Sequence, residues 1–97
     1  MLVLNQAELK ATGKRHPIAK KALQNWLDIV FSADWKSLAD VKLSFPSVDY
    51  IPVDQYCFNI KGNSYRLLTA ISFKLKTVTV IEFLTHAEYS KRSLKTK

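Results

Sequence analysis

The spacing of apolar residues changes once along this chain, and that change limits the possible folds more than any other feature. Between Pro17 and Val30, apolar residues fall at Ile18, Ala19, Ala22, Leu23, Trp26, Leu27 and Val30. Spacings of three and four place them on one face of a helix. From Gln55 the period drops to two. Tyr56, Phe58 and Ile60 alternate with Cys57, Asn59 and Lys61, the pattern of a half-buried strand. A helical first part and a stranded second part must bury one against the other, which is the α+β class. At 97 residues a second core would have too little apolar surface, so residues 1–97 are expected to form one domain.

The remaining elements follow from local signals. Leu2, Val3 and Leu4 predict a short strand. Asn5 as cap, with Glu8 at the third helical position, predicts a capping box and a helix running to about Thr12, ended by Gly13. Pro17 suits the first turn of a second helix. In residues 32–54, Asp34 or Ser37 is expected to cap a short turn through Ala39, with Phe45-Pro46-Ser47 and Ile51-Pro52 in an extended loop. Lys61-Gly62-Asn63-Ser64 marks a hairpin turn. It leads to a strand over 65–73, with Tyr65, Leu67, Thr69, Ile71 and Phe73 on one face and Arg66, Leu68, Ala70 and Ser72 on the other. After a turn at 74–76, residues 77–84 form a third strand, apolar on both faces and expected to be covered on both. Thr85 as cap and Glu88 three residues on predict a short C-terminal helix, with 92–97 a frayed basic tail. The expected order is β-α-α-β-β-β with a mainly antiparallel sheet, then that short helix.

Charge adds direction. The formal net charge is +7. Residues 1–55 carry seven basic against six acidic residues, whereas 56–97 carry eight against two. A basic second half suggests a polyanion, nucleic acid first; the bland alternative is a soluble surface with a basic tail. The single Cys57 cannot form an internal disulfide, which points to a reducing compartment. No apolar run reaches the ~20 residues of a membrane span, and the apolar N-terminus lacks the basic region of a signal peptide. A cytoplasmic protein without membrane contact is therefore expected. Phosphate-loop, zinc-protease, Cys-x-x-Cys and nucleophile-elbow patterns are missing from the sequence, and two histidines with one cysteine do not easily close a zinc site. No metal and no cofactor are expected.

What remains is a polar set in the hairpin half: Asn59, Lys61, Asn63, Arg66, His86, Tyr89 and Lys91. Arg66 interrupts the apolar run Tyr65-Arg66-Leu67-Leu68. It is either a sheet-edge arginine paired with Glu82 or a phosphate ligand, whose oxygens its guanidinium fork matches. His86 and Tyr89 (i, i+3) share one face of a helical turn, and histidine is the side chain that exchanges protons near neutrality. Taken alone, Tyr89 reads as an aromatic covering the end of the core, and His16 as a cap or a satisfied surface group preceding Pro17. Trp26 reads as core; Trp35 is ambiguous between core and a base-stacking role.

The blocks His16-Pro17, Ala33-Asp34-Trp35-Lys36-Ser37, Asp40-Val41-Lys42, Phe45-Pro46-Ser47-Val48-Asp49, Phe58-Asn59-Ile60-Lys61-Gly62-Asn63-Ser64-Tyr65-Arg66-Leu67 and Thr85-His86-Ala87-Glu88-Tyr89 together resemble the HigB family of bacterial toxins from type II toxin–antitoxin modules, over roughly residues 1–91. The resemblance implies a RelE-like fold and a metal-independent endoribonuclease, an mRNA interferase that cuts messages on the ribosome and so inhibits translation. It implies contact with ribosomal RNA, a HigA-like helix-turn-helix antitoxin, and operator DNA reached only through the antitoxin complex, all in the bacterial cytoplasm. By the same resemblance Arg66 would stabilise a phosphorane, while His86 and Tyr89 would move protons or position the base. Lys61 and Lys91 would bind phosphate or depress a neighbour's pKa, and Asn63 would shape the turn or touch substrate. Lys74, Lys76 and Arg92 would bind RNA, and Glu88 would cap its helix or pair with a lysine. One departure is Ser90, where the family often has an acid after the tyrosine. The competing reading is a non-catalytic RNA-binding or interaction module, or a degenerate toxin.

Overall fold

A computed structural model describes the backbone of residues 1–95 and the side chains of residues 1–91. Strand β1 (Leu2–Leu4) and strand β5 (Thr77–Thr85) lie side by side and parallel, with Val3 opposite Val78. Parallel neighbours need a crossover, and here the crossover is most of the chain. Between them come α1 (Gln6–Arg15), a 3₁₀ turn at Pro17–Ala19, α2 (Lys20–Ser32), α3 (Leu38–Ser44), β2 (Asp49–Ile51), β3 (Gln55–Ile60) and β4 (Tyr65–Ser72). β2 to β5 form an antiparallel meander, giving a five-stranded sheet in the order β1-β5-β4-β3-β2. A last helix, α4 (His86–Lys95), follows β5 directly. The α+β class expected from the sequence holds, with α3 longer than its expected turn and β2 as an additional strand. No helix among the described residues is long and apolar enough to cross a membrane.

Three local expectations are corrected. Gly13 does not end α1, which continues to Arg15 and stops at His16 (φ −130°, ψ 72°). The proline that follows His16 forbids it the helical conformation, and this stops the helix where glycine does not. The capping box at Asn5 and Glu8 does not form either: Asn5 sits at φ 64° and makes no side-chain cap hydrogen bond. Its Nδ2 instead donates to the Val80 carbonyl at 2.8 Å, tying the start of α1 to β5. α3 runs past Ala39 to Ser44 and ends at Phe45, again before a proline. Ser37 holds its N-cap position, but the hydrogen bond there runs from the Lys36 amide to the Asp40 carboxylate, 2.8 Å.

Packing follows the two periods. Ala19, Leu23, Trp26 and Val30 are buried as their spacing requires, while Ile18 is exposed because the 3₁₀ turn rotates it off the stripe. Phe58 is the hub: Trp26 meets it edge-on at 5.5 Å, Phe45 edge-on at 5.0 Å, and Trp35 stacks on it at 6.4 Å. Trp35, 3% exposed, is thus a core residue. The two apolar faces of β5 have a specific cause. Leu68 pairs with Glu82 but Thr69 pairs with Val80, so Ile81 is an extra residue in a bulge. Val78 and Val80 before it, and Phe83 after it, all reach the helix-side core. Ile81 is left exposed, so the expected double cover fails at that residue. On the other face Cys57, Leu68 and Leu84 are buried as well, where α4 packs over β4 and β5. A groove of about 540 Å³ lies between α1 and α2, lined by Leu9, Leu23 and Leu27 with Lys10, Lys14 and Lys20.

Candidate active site

Side chains alternate across a strand, so Arg66 and Leu68 of β4 point to the sheet face opposite Leu67, away from α1 and α2. The register sets Asn59, Arg66 and Leu84 in one cross-strand row, and Asp49, Cys57, Leu68 and Glu82 in the next. β4 is the middle strand, so Arg66 is not the sheet-edge arginine of the bland reading. Leu84, not Glu82, is its opposite residue on β5.

Two turns meet at this end of the sheet. The β3–β4 turn places Lys61 (φ 53°) and Gly62 (φ 63°) in the left-handed region, and the Ser64 amide closes it on the Lys61 carbonyl at 3.2 Å. At the start of α4 the capping box expected at Thr85 and Glu88 is fully formed. The Thr85 amide donates to the Glu88 carboxylate at 2.8 Å, and the Glu88 amide donates to the Thr85 hydroxyl at 3.2 Å. The His86 amide then donates to the Ser64 carbonyl at 3.0 Å, joining helix to turn.

That junction brings Arg66 and His86 together. Arg66 Nη1 donates to the Asn63 and Tyr65 carbonyls at 3.1 and 3.2 Å, and Nη2 lies 3.2 Å from His86 Nδ1. A guanidinium only donates, so Nδ1 is the acceptor and the neutral imidazole carries its proton on Nε2. The Arg66 Cζ stands 5.7 Å from the centre of the Tyr89 ring, a cation–π contact. Burial raises the Tyr89 hydroxyl above the ordinary tyrosine value, with Cys57 adding to the rise and Arg66 opposing it. Burial also pushes the Cys57 thiol up, against a hydrogen bond from Tyr89 and the Arg66 charge. A thiol kept neutral and 1% exposed packs the site floor rather than attacking substrate. Hydrogen bonds from Thr85 hold the Glu88 carboxyl below its ordinary range, so Glu88 caps rather than carries protons.

The expected site residues divide. Arg66, His86 and Tyr89 converge, and Lys61 and Asn63 stand exposed in the adjoining turn. Lys91 is exposed and roughly 200° around the helix from Tyr89, so it does not share the Tyr89 face. Lys74 and Lys76 lie at the far end of β4, roughly 25 Å away at strand rise. Lys76 Nζ is bound there to Asp34 Oδ1 at 2.6 Å and to the Trp35 carbonyl at 3.3 Å. The Arg92 side chain and the 92–97 tail fall outside the described residues. His16, expected as a cap or a satisfied surface group, is the C-cap of α1, its amide donating to the Thr12 carbonyl at 2.8 Å; its half-buried ring lies 5.3 Å from Tyr65 and 5.7 Å from Phe83. Cys57, marked in the sequence only as a thiol without a disulfide partner, and Asp49, given no role there, also lie on this face. The alternation of β3 does place Cys57 on the Arg66 face, whereas β2, three residues long, is too short to show a period for Asp49.

Chemically, the cluster offers a fixed positive fork, an unprotonated imidazole nitrogen beside it and a neutral phenol. A family model described as HigB_toxin, the RelE-like toxic component of a toxin-antitoxin system, matches residues 19–92. The chain belongs to the HigB toxin family. Among its relatives in the family, the mRNA interferase toxin HigB of Escherichia coli (strain K12) is 28% identical over 91 residues, which is 92% of this chain and 88% of that protein. The same identity and coverage relate it to proteins named mRNA interferase HigB in Escherichia coli O157:H7 and Shigella flexneri. Arg66, His86 and Tyr89 all lie inside the matched segment.

Proposed function

We propose that this HigB-family toxin is an mRNA endoribonuclease whose chemistry centres on Arg66 and His86. The observation that carries the reading is the 3.2 Å approach of His86 Nδ1 to the Arg66 guanidinium, on the sheet face that adjoins the basic β3–β4 turn. The relatives' names as mRNA interferases support the substrate. In the reaction, a ribose 2′-OH attacks the adjacent phosphorus, the P–O5′ bond breaks, and the products are a 2′,3′-cyclic phosphate and a 5′-OH. Arg66 Nη1 is held by two carbonyls, so phosphate meets the guanidinium along Nη2 and Nε, where charge on the phosphorane is best stabilised. Once phosphate takes Nη2, His86 Nδ1 is released to accept the 2′ proton. The neutral Tyr89 hydroxyl is the donor for the leaving 5′ oxygen. Each role has a side chain, so the reading requires no metal and no cofactor. Lys61 and Asn63 contact the flanking backbone of the message. Cleavage occurs on translating ribosomes, with ribosomal RNA as the docking surface, in the bacterial cytoplasm. A HigA-like helix-turn-helix antitoxin silences the toxin and brings the complex to operator DNA.

The test is expression without antitoxin, with primer extension on a translated message. Wild-type protein arrests growth and creates new 5′ ends; Arg66→Ala, shown to be folded, does neither. Soluble wild-type protein that leaves growth unchanged overturns the reading. Salt-dependent RNA binding without new 5′ ends would mark a non-catalytic RNA-binding module instead.

A further inference from the structure

His86 is the first residue of α4, directly after the last residue of β5, so the direction of its imidazole depends on how the helix starts. The start is fixed from two sides. The His86 amide is bound to the Ser64 carbonyl at 3.0 Å, which sets the height of the helix end above the β3–β4 turn. This single bond leaves rotation about the chain open. The reciprocal pair between Thr85 and Glu88, 2.8 and 3.2 Å, closes that rotation, because it bridges the residues on either side of His86.

We infer that Glu88 is a positioning residue, whose bond to the Thr85 amide locks the first turn of α4 and thereby holds His86 Nδ1 against Arg66. The inference rests on the nuclease reading for its rate effect and on geometry alone for its structural effect. Glu88 is exposed, so substitutions there do not threaten the core. A glutamine still accepts from the Thr85 amide, since Gln serves in a capping box as Glu does, whereas an alanine cannot.

The experiment compares wild type, Glu88→Gln and Glu88→Ala. Message cleavage is measured in a translation reaction, and nuclear Overhauser cross-peaks are recorded between the His86 ring and the Arg66 side chain. Glu88→Ala is expected to lower kcat tenfold or more with KM within twofold, and to lose the cross-peaks while the melting curve stays cooperative. Glu88→Gln is expected to restore both readouts to within twofold of wild type. The proposal is overturned if Glu88→Ala cleaves at the wild-type rate or keeps its cross-peaks. It is overturned equally if Glu88→Gln is as slow as Glu88→Ala, which would assign the effect to charge. Should wild type itself cleave nothing, the nuclease reading fails, and the cross-peaks of the three proteins still decide whether Glu88 positions His86.

Discussion

Arg66 shows how much one residue's surroundings decide. The same guanidinium at a sheet edge would be a solvent-screened surface charge worth little; on the middle strand it is clamped by the Asn63 and Tyr65 carbonyls and faces His86 and Tyr89. Its place among apolar neighbours was legible in the sequence, because a charged residue inside Tyr65-Arg66-Leu67-Leu68 needs a reason. Its distance to His86 was not, since twenty residues separate them. Tyr89 gives the residue-scale prediction. Its hydroxyl lies above the ordinary tyrosine value of about 10, so the protonated form persists to higher pH than in a free tyrosine. Cleavage that uses it as a proton donor stays flat with respect to this group from neutrality through pH 9, and declines only above the ordinary tyrosine value. Tyr89→Phe is expected to lower the rate by about 10²-fold and to remove that alkaline decline, as read from kcat against pH.

At the scale of elements, the sequence spoke most clearly where a local signal had no tertiary rival. The Thr85–Glu88 box formed as expected because its two hydrogen bonds join residues three apart at a helix start and need no tertiary partner. The Asn5–Glu8 box did not, because the Val80 carbonyl on β5 takes the Asn5 side chain. The two prolines at 17 and 46 end α1 and α3 through the residue before them, a steric rule that outweighed the glycine signal at Gly13. The two glycines therefore respond oppositely to the same change. A Cβ at Gly13 would meet only Lys20 Cγ at 3.7 Å inside a helix, so Gly13→Ala is expected to stabilise by about 0.5–1 kcal/mol. Gly62 has open space around it but φ +63°, so Gly62→Ala is expected to destabilise by about 1 kcal/mol. Thermal melts would show Tm shifts of opposite sign, roughly 4–8 °C per kcal/mol in a domain of this size.

For the molecule as a whole, Phe58 is where helices and sheet are joined. It lies on β3 with Trp26 of α2, Trp35 and Phe45 around it. Phe58→Ala is expected to cost about 3–5 kcal/mol, a large share of the 5–15 kcal/mol that stabilises a typical domain. Urea titration would show the midpoint collapsing without an intermediate. The switch of apolar period near Gln55 determined by itself that helices cover one sheet face, because burial of that face is the main driving force and the alternation leaves one way to achieve it. Composition and charge determined that the second half carries the positive field. Only the tertiary structure decided that β1 crosses the whole chain to lie beside β5, that a bulge at Ile81 returns Phe83 to the core, and that α4 settles over β4 and β5. Those outcomes depend on hydrogen-bond register between segments far apart in sequence, where no local propensity acts. For the same reason the blocks around Arg66 and His86 pointed to a family, while the contact between the two side chains exists only once strand, turn and helix have met.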